Sequence, residues 1–277
     1  MRRLVLWGTL LLLVMGLAAC ELFEGDDERV LPTLVDLTQL PTHDFLTQNA
    51  PPEGFSEVEY DPLDISLSTP PGWAATVTAR FVGSFDDTGE PADSTYTAHI
   101  RTNNLVEGKA VVLEVNGSGM VRSEWPTDLR FESVRFGTEY WFLFNNECTK
   151  NETALGLEAQ VSDLGASALV GGITNAVPDG HRRDIGDYPV WRYTFSPVLP
   201  TLTLQRYENS IVTPSAELWI SPDLNAVLTY DLTLEVERVT LMWGDRAVSG
   251  RLDLRYELDL VAFNIAQDLV LPNGCPG

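Results

Sequence analysis

The strict alternation of apolar and polar side chains in two late segments constrains the fold of this chain more than any other feature. From Leu228 to Val236, and again from Leu252 to Leu260, every second residue is apolar and the residues between are polar. Successive side chains of a β-strand point to opposite faces, so each segment predicts a strand with one apolar and one solvated face. Antiparallel sheets show this pattern, and the chain is therefore predicted to be mainly β with few helices.

Similar patterns begin at Trp73 and predict a single β domain over residues 73–277. Residues Trp73 to Phe85 largely alternate in the same way, and Asp86 to Glu90 have the composition of a hairpin loop. Seven further segments have strand-like patterns: Tyr96–Ile100, Val111–Val115, Leu129–Phe136, Glu139–Phe144, Tyr188–Phe195, Leu202–Tyr207 and Ala216–Ile220.

One segment, residues 152–172, breaks the β rhythm and predicts a helix. Its apolar residues fall on one side of a 3.6-residue period. These residues are Leu157, Val161, Leu164 and Ala168. Asn151 is a good N-cap, and Gly171 is a plausible stop. Gly165 costs such a helix about 1 kcal/mol relative to alanine, so we expect the helix to depend on packing.

The beginning of the chain has the order of a secretory signal. Arg2 and Arg3 precede an apolar run from Leu4 to Leu17, and small residues stand directly before Cys20. This order resembles the bacterial lipobox, which implies that residues 1–19 are removed and that Cys20 is lipidated. We therefore expect an exported protein, anchored to the outer face of the cell membrane or facing the periplasm. The alternative is an uncleaved membrane anchor with an incidental cysteine.

Residues 20–72 form an acidic, proline-rich segment that predicts a tether or N-terminal extension. Proline at this density blocks regular helix and sheet. The whole chain has 18 basic and 40 acidic residues, a net charge of −22. Such a charge argues against nucleic acid as a partner, because phosphates need a basic surface. It also disfavours adsorption on anionic lipid headgroups, so we expect the anchor to hold the protein at the membrane.

The two remaining cysteines, Cys148 and Cys275, predict a disulfide, because an exported chain sits where disulfides persist. Two separate buried thiols are the alternative. The two cysteines and the three scattered histidines show no metal-ligand spacing, and neither a metal nor a cofactor is expected.

The sequence offers no complete catalytic constellation, and we expect no enzymatic activity. Ser167 lies in a near match to a nucleophile elbow, but within the predicted helix instead of at a strand-to-helix turn. His181 stands in a polar cluster that is typical of a solvated loop. Acidic residues are too numerous for counting to single out a glycosidase-type pair, so an extracytoplasmic hydrolase remains a weaker alternative.

Three stretches resemble the LppX/LprG group of lipoproteins and, more distantly, the LolA and LolB lipoprotein carriers. Phe131–Trp141 is a strand, turn and aromatic strand ahead of the helix, and Ala216–Leu232 is a strand that turns at Asp223 into the next strand. The third stretch is a predicted terminal strand that ends at Asn264–Ile265, followed by Leu271–Pro272. The resemblance covers about the C-terminal two thirds of the chain. These are patterns of residue type, and the proline-rich segment has no counterpart in them.

This resemblance implies a curved antiparallel half-barrel sheet, covered on its concave face by helix 152–172. The cavity between them holds acyl chains in that group, which has no catalytic residues. Besides the apolar side of the helix, the candidates for cavity walls are the aromatic residues of two strands, namely Phe142, Phe144, Trp191, Tyr193 and Phe195.

The resulting hypothesis is a membrane-anchored protein that binds or carries a lipid or another hydrophobic molecule. A poorly covered apolar sheet face is either a ligand cavity or a partner site. The alternative is a non-catalytic structural or protein-interaction module whose sheet folds around a dry core. The sequence names neither the ligand nor a protein partner.

Overall fold

The structure, a computed structural model, describes residues 49–60, 70–150, 161, 164–199 and 203–276. Cys20, Leu157 and the lipobox lie outside the described residues. The strands are β1 (Val58–Tyr60), β2 (Gly72–Phe85), β3 (Ser94–Asn103), β4 (Gly108–Gly117), β5 (Asp128–Phe136), β6 (Glu139–Phe144), β7 (Glu147–Lys150), β8 (Gly172–Ile185), β9 (Tyr188–Val198), β10 (Leu204–Ser221), β11 (Ala226–Leu241) and β12 (Val248–Leu258), and a short helix α1 spans Ala166–Val170.

All the described strands belong to one open antiparallel sheet. Its order is β1-β8-β9-β10-β11-β12-β2-β3-β4-β5-β6-β7. Strands β2 to β7 form one meander and β8 to β12 form a second. The pairing of β12 with β2 joins the two meanders in the middle of the sheet. The prediction of a mainly β, unclosed antiparallel sheet is confirmed.

One face of the sheet carries the core. In the central strands, Ala98, Val77, Tyr256, Tyr230 and Leu218 lie side by side in register, and all five are buried. The polar residues between them point to the opposite face, as the alternation predicts. The buried residues of both meanders form a single core cluster, so the sheet curls around its own apolar face.

Among the described residues, loops cover much of this apolar face. The loop after β4 and the loop after β11 meet, since the Trp243 amide donates to the Met120 carbonyl at 3.1 Å. The ring of Trp243 lies 5.9 Å from that of Phe131 on β5. Three strands separate β12 from β5, so the loop reaches across the curled sheet.

Within the described residues, the predicted helix is interrupted between Val161 and Ala166. Val161 is helical, Leu164 and Gly165 are not, and α1 then runs for five residues. Gly165 has an extended backbone and no side chain that could cap α1, which explains the break. The N-terminal part of the predicted helix, residues 152–160, lies outside the described residues.

Two hydrogen bonds from the sheet side hold the C-terminal end of α1. The Tyr230 hydroxyl donates to the Val170 carbonyl at 3.2 Å, and the Thr203 hydroxyl donates to the Leu169 carbonyl at 2.8 Å. The last carbonyls of a helix have no partners within it, so these side chains satisfy groups that would otherwise be buried and unpaired.

Residues Asp259–Pro276, here called the strap, follow β12: Phe263 packs against the main core, and from Ile265 onward the strap contacts the opposite face of the sheet. The strap ends at a disulfide between Cys148 and Cys275, whose Cα atoms are 5.3 Å apart, as the sequence predicts. The indole of Trp141 donates to the Pro276 carbonyl at 3.1 Å. On this face Ala110, Val134 and Trp141 lie side by side in register, and they are buried outside the main core.

Part of the segment expected to act as a tether or extension packs on the sheet. Strand β1 pairs with β8, and Phe55 packs against the core. The Tyr193 hydroxyl donates to the Phe55 carbonyl at 2.7 Å. Within the described ranges, no helix has the length and apolar character to cross a membrane.

Candidate ligand-binding cleft

Strands β9 and β10 pair over only three positions and then diverge. The pairs are Tyr193 with Leu218, Arg192 with Trp219, and Trp191 with Ile220. Beyond them, the rest of β9 pairs only with β8, and the first half of β10 pairs only with β11. The sheet is therefore split at this place, between two strands that follow each other in sequence.

Two prolines explain why the strands separate. Pro197 lies near the end of β9 and Pro214 lies in the middle of β10. Proline has no backbone N–H to donate and is confined to edges and bulges of sheets. Strand β10 also has a bulge between Arg206 and Ile211, which bends the strand and disrupts the ladder.

The split opens a cavity of about 500 Å³, here called the cleft. Pro197, Leu199, Leu204 and Pro214 form its apolar walls. Leu204 is buried, and Leu199 is half-buried and packs against the main core. A volume of this size falls within the range of about 300–1,000 Å³ that is usual for small-molecule sites.

Two polar side chains, Gln205 and Arg206, complete the lining of the cleft. Both are exposed at the start of β10. Apolar walls with one cation at the mouth suit an amphipathic anion, because the chain would be buried while the head stays near the guanidinium.

The structure places most of the described wall residues predicted from the sequence in or against the main core, and none of them lines the cleft. Val161, Leu164, Trp191 and Tyr193 are buried, and Ala168 is half-buried on α1. Phe195, on the same face of β9 as Pro197, lies 5.5 Å from the ring of Tyr230, which also holds α1. The helix and β9 are therefore neighbours through Tyr230.

Phe142 and Phe144 belong to a different aromatic group. Their rings lie 6.0 Å and 4.7 Å from that of Phe131, on the same face but in the other half of the strand order from β9. From the sequence, either these residues or those of β9 could lie opposite the helix. The contact through Tyr230 favours Phe195, on β9.

The residues that line the cleft were missed by sequence analysis, although a signal for them exists. A proline within a strand pattern predicts an edge position. Pro197 and Pro214 lie on successive strands, so the two together predict strands that do not pair along their length. That inference would have pointed to the gap between β9 and β10.

The polar cluster around His181 is internally paired. Asp179 accepts hydrogen bonds from the Arg192 side chain at 2.6 Å and from the His181 backbone at 3.0 Å. Burial of Asp179 opposes its ionisation, but these bonds outweigh burial and hold the pKa of its carboxyl below the usual value. Arg192 also contacts Glu217 at 3.2 Å. The cluster lies at an irregularity of β8 and stabilises the β8–β9 hairpin.

A depression of about 420 Å³ lies on the polar face above the middle of the sheet. Its charged groups are paired: Arg255 lies 3.2 Å from Asp231 within the depression, and Asp253 lies 2.8 Å from Arg251 beside it. Burial raises the pKa of the Asp231 carboxyl, although Arg255 acts in the opposite direction. This arrangement is typical of a solvated ladder of ion pairs on a sheet face.

Within the described part of the chain, no group of three or more acidic, histidine or cysteine side chains is placed to hold a metal ion. In the acidic loop after β2, Asp87 pairs with Arg246 at 2.6 Å, and Asp86 accepts from the Ser249 hydroxyl at 2.6 Å. Protein donors therefore already use these carboxylates.

Comparison with known proteins does not assign a family. No protein-family model matches the chain, and no curated protein matches it. The crystal structure of a DUF1329 family protein from Desulfovibrio piger covers 79% of this chain and 90% of its own at 7% identity, with a TM-score of 0.24. A similarity this weak carries no argument about function. The resemblance to the LppX/LprG group therefore stays a hypothesis.

Proposed function

We propose that the protein is an extracytoplasmic lipoprotein that binds an amphipathic lipid, such as a fatty acid or a phospholipid, without catalysing a reaction. The cleft between β9 and β10 supports this function best. The cleft has apolar walls and one guanidinium, that of Arg206. Two of its wall residues, Leu199 and Leu204, also contact the main core. Burying an acyl chain there yields about 25 cal/mol for each Å² of apolar surface removed from water.

Membrane anchoring through lipidated Cys20 is part of the same proposal and rests on the order of residues before it. Replacing Cys20→Ala should leave unprocessed precursor or release protein from the membrane. Mass spectrometry of the purified chain tests the anchor directly. A wild-type mass without a lipid adduct would refute the anchor and leave the binding proposal standing.

Val198, the last residue of β9, and Leu199, which follows it, provide a matched test of the binding site. Leu199 lines the cleft, whereas Val198 points to the opposite face and is 45% exposed. Leu199→Asp should reduce uptake of a fluorescent fatty acid. Its carboxylate would have to lose water to contact the acyl chain, and it would repel the carboxylate of the fatty acid. Val198→Asp should bind like the wild type.

Native mass spectrometry with organic extraction of the purified wild type is the companion measurement. We expect a co-purified lipid, or uptake of the fluorescent probe when none is retained. Equal uptake of the fatty acid by the two variants would show that the cleft is not the binding site. No uptake by the folded wild type would refute lipid binding altogether.

A structural or interaction module with a dry core is the second candidate. Near-complete burial of the apolar face favours it, since Val77, Ile220 and Tyr193 have no accessible surface. The two candidates differ in whether this packing can open to admit a chain. The same binding measurements separate them.

A further inference from the structure

Exposed aliphatic side chains gather at one end of the sheet. The three most exposed large apolar residues of the described chain are Val261 (85%), Leu105 (73%) and Val270 (72%). Val106 and Ile265 are also exposed beside them. These five residues, here called the apolar rim, come from only two segments, the β3–β4 turn and the strap.

Contacts between these two segments make the rim continuous. The Asn103 side chain donates to the Gln267 carbonyl at 3.0 Å, and Gly108 faces the side chain of Leu269. Val106 stands between Asn103 and Gly108, and Val270 follows Leu269. The strap turns Phe263 inward against the core and leaves Val261, Ile265 and Val270 outward.

An exposed apolar patch of this kind is unfavourable in water and marks a membrane or protein contact. Charge at the rim decides which lipids fit. Residues 101–109 and 259–276 carry three acidic residues, Glu107, Asp259 and Asp268, and two basic ones, Arg101 and Lys109, at the two ends of the turn. With acids in excess at the rim and a net charge of −22 over the chain, this surface favours zwitterionic over anionic headgroups.

The described chain also begins at this end of the sheet. The Trp191 indole donates to the Asn49 carbonyl at 2.8 Å, and Trp191 pairs with Ile220, one residue before β10 ends. The β8–β9 turn at the same end faces Leu260 of the strap. The proposed anchor at Cys20 precedes Asn49 in sequence, and Asn49 itself lies at the end of the sheet where the rim lies.

We propose that the apolar rim seats the protein on a zwitterionic lipid surface, with its aliphatic side chains inserted among the headgroups. This seating adds a surface contact to the proposed anchor, and it places the cleft away from the membrane. Leu199 and Leu204 lie where β9 ends and β10 begins, at the opposite end of the strands from the rim. The inference rests on membrane anchoring but not on ligand binding.

The test uses the full chain reconstituted into phosphatidylcholine vesicles. Leu105→Cys and Val270→Cys are labelled separately with an environment-sensitive fluorophore. Val82→Cys serves as the matched control, because Val82 is 46% exposed near the opposite end of β2. We expect a blue shift and quenching by spin-labelled lipid at both rim positions, no change at Val82, and smaller shifts when anionic lipid is added.

Three outcomes would overturn the proposal. One is identical emission at the rim with and without vesicles. Another is a blue shift that grows with protein concentration without vesicles, which would assign the rim to a second copy of the chain. The third is a shift that increases with anionic lipid. Wild type labelled in parallel reports any free thiol at Cys20, so failure of the anchor is seen separately.

Discussion

At the scale of single residues, two tyrosines of the main core occupy similar surroundings but differ in one bond. Tyr96 and Tyr230 are both buried on the apolar face, and burial raises the pKa of both phenols. The Tyr230 hydroxyl donates to the Val170 carbonyl, whereas the Tyr96 hydroxyl has no hydrogen-bond partner among the described residues.

Removing each hydroxyl should therefore have opposite consequences. Tyr230→Phe leaves the Val170 carbonyl without this donor and should lower the free energy of unfolding by about 1–3 kcal/mol. Tyr96→Phe removes an unpaired polar group and should be neutral or stabilising. Chemical denaturation of both variants checks this. Equal destabilisation would contradict the assignment of the bond.

The pKa of Asp179 leads to a prediction about pH. Because the folded-state pKa lies below the unfolded value, Asp179 stabilises the fold above its usual pKa. That contribution is lost as the pH falls through the folded value. Asp179→Asn should lower stability at pH 7 and flatten its decline in acid. Melting curves from neutral to strongly acidic pH measure the two slopes, and parallel slopes would exclude Asp179 as a contributor.

At the scale of elements, the sequence predicts strands where one face is apolar and misses those where the pattern is mixed. Strands β2, β11 and β12 are found close to their predicted bounds. Strand β8 was not predicted, because Pro178, Gly180 and a run of charged residues interrupt it. Two predicted short strands, Leu202–Tyr207 and Ala216–Ile220, fall largely in the single strand β10, whose bulge separates two paired stretches.

The disulfide that ends the strap should contribute to the stability of the fold. Replacing Cys148→Ser together with Cys275→Ser removes a link between residues 127 apart in sequence. In the chain-entropy model this costs at most about 4–5 kcal/mol. The free strap should also expose Trp141, which it covers. Denaturant unfolding and tryptophan quenching measure the two effects, and reduction of the wild type should reproduce them. Unchanged stability and quenching would show that the strap stays in place without the bond.

At the scale of the whole molecule, the two candidate functions differ in whether the main core admits a ligand. Val161 and Leu164 are fully buried in it. If the core is dry, Val161→Trp or Leu164→Trp overpacks it and should cost about 1–3 kcal/mol. If the packing opens for an acyl chain, the same changes should lower lipid uptake with little loss of stability. A thermal melt and a lipid-binding assay on one variant decide between these outcomes.

The candidate site was less predictable than the fold. Alternation identifies the apolar face, because odd and even positions of a strand point to opposite faces and only one face is buried. The cleft depends instead on which strands fail to pair along their length, and pairing is a property of two segments together. Pro197 and Pro214 carry that information only when β9 and β10 are considered as neighbours.

The pairing of β12 with β2 also dictates when the fold can form. Ala75 is opposite Leu258, so the centre of the sheet joins the first long strand to the last. During synthesis each meander can assemble as soon as its own hairpins are complete, but the two halves cannot meet until nearly the whole chain has been made. Such distant contacts make folding slow. Until then both halves display their apolar faces, so the unfinished chain exposes apolar surface to aggregation for longer than a chain of local hairpins would.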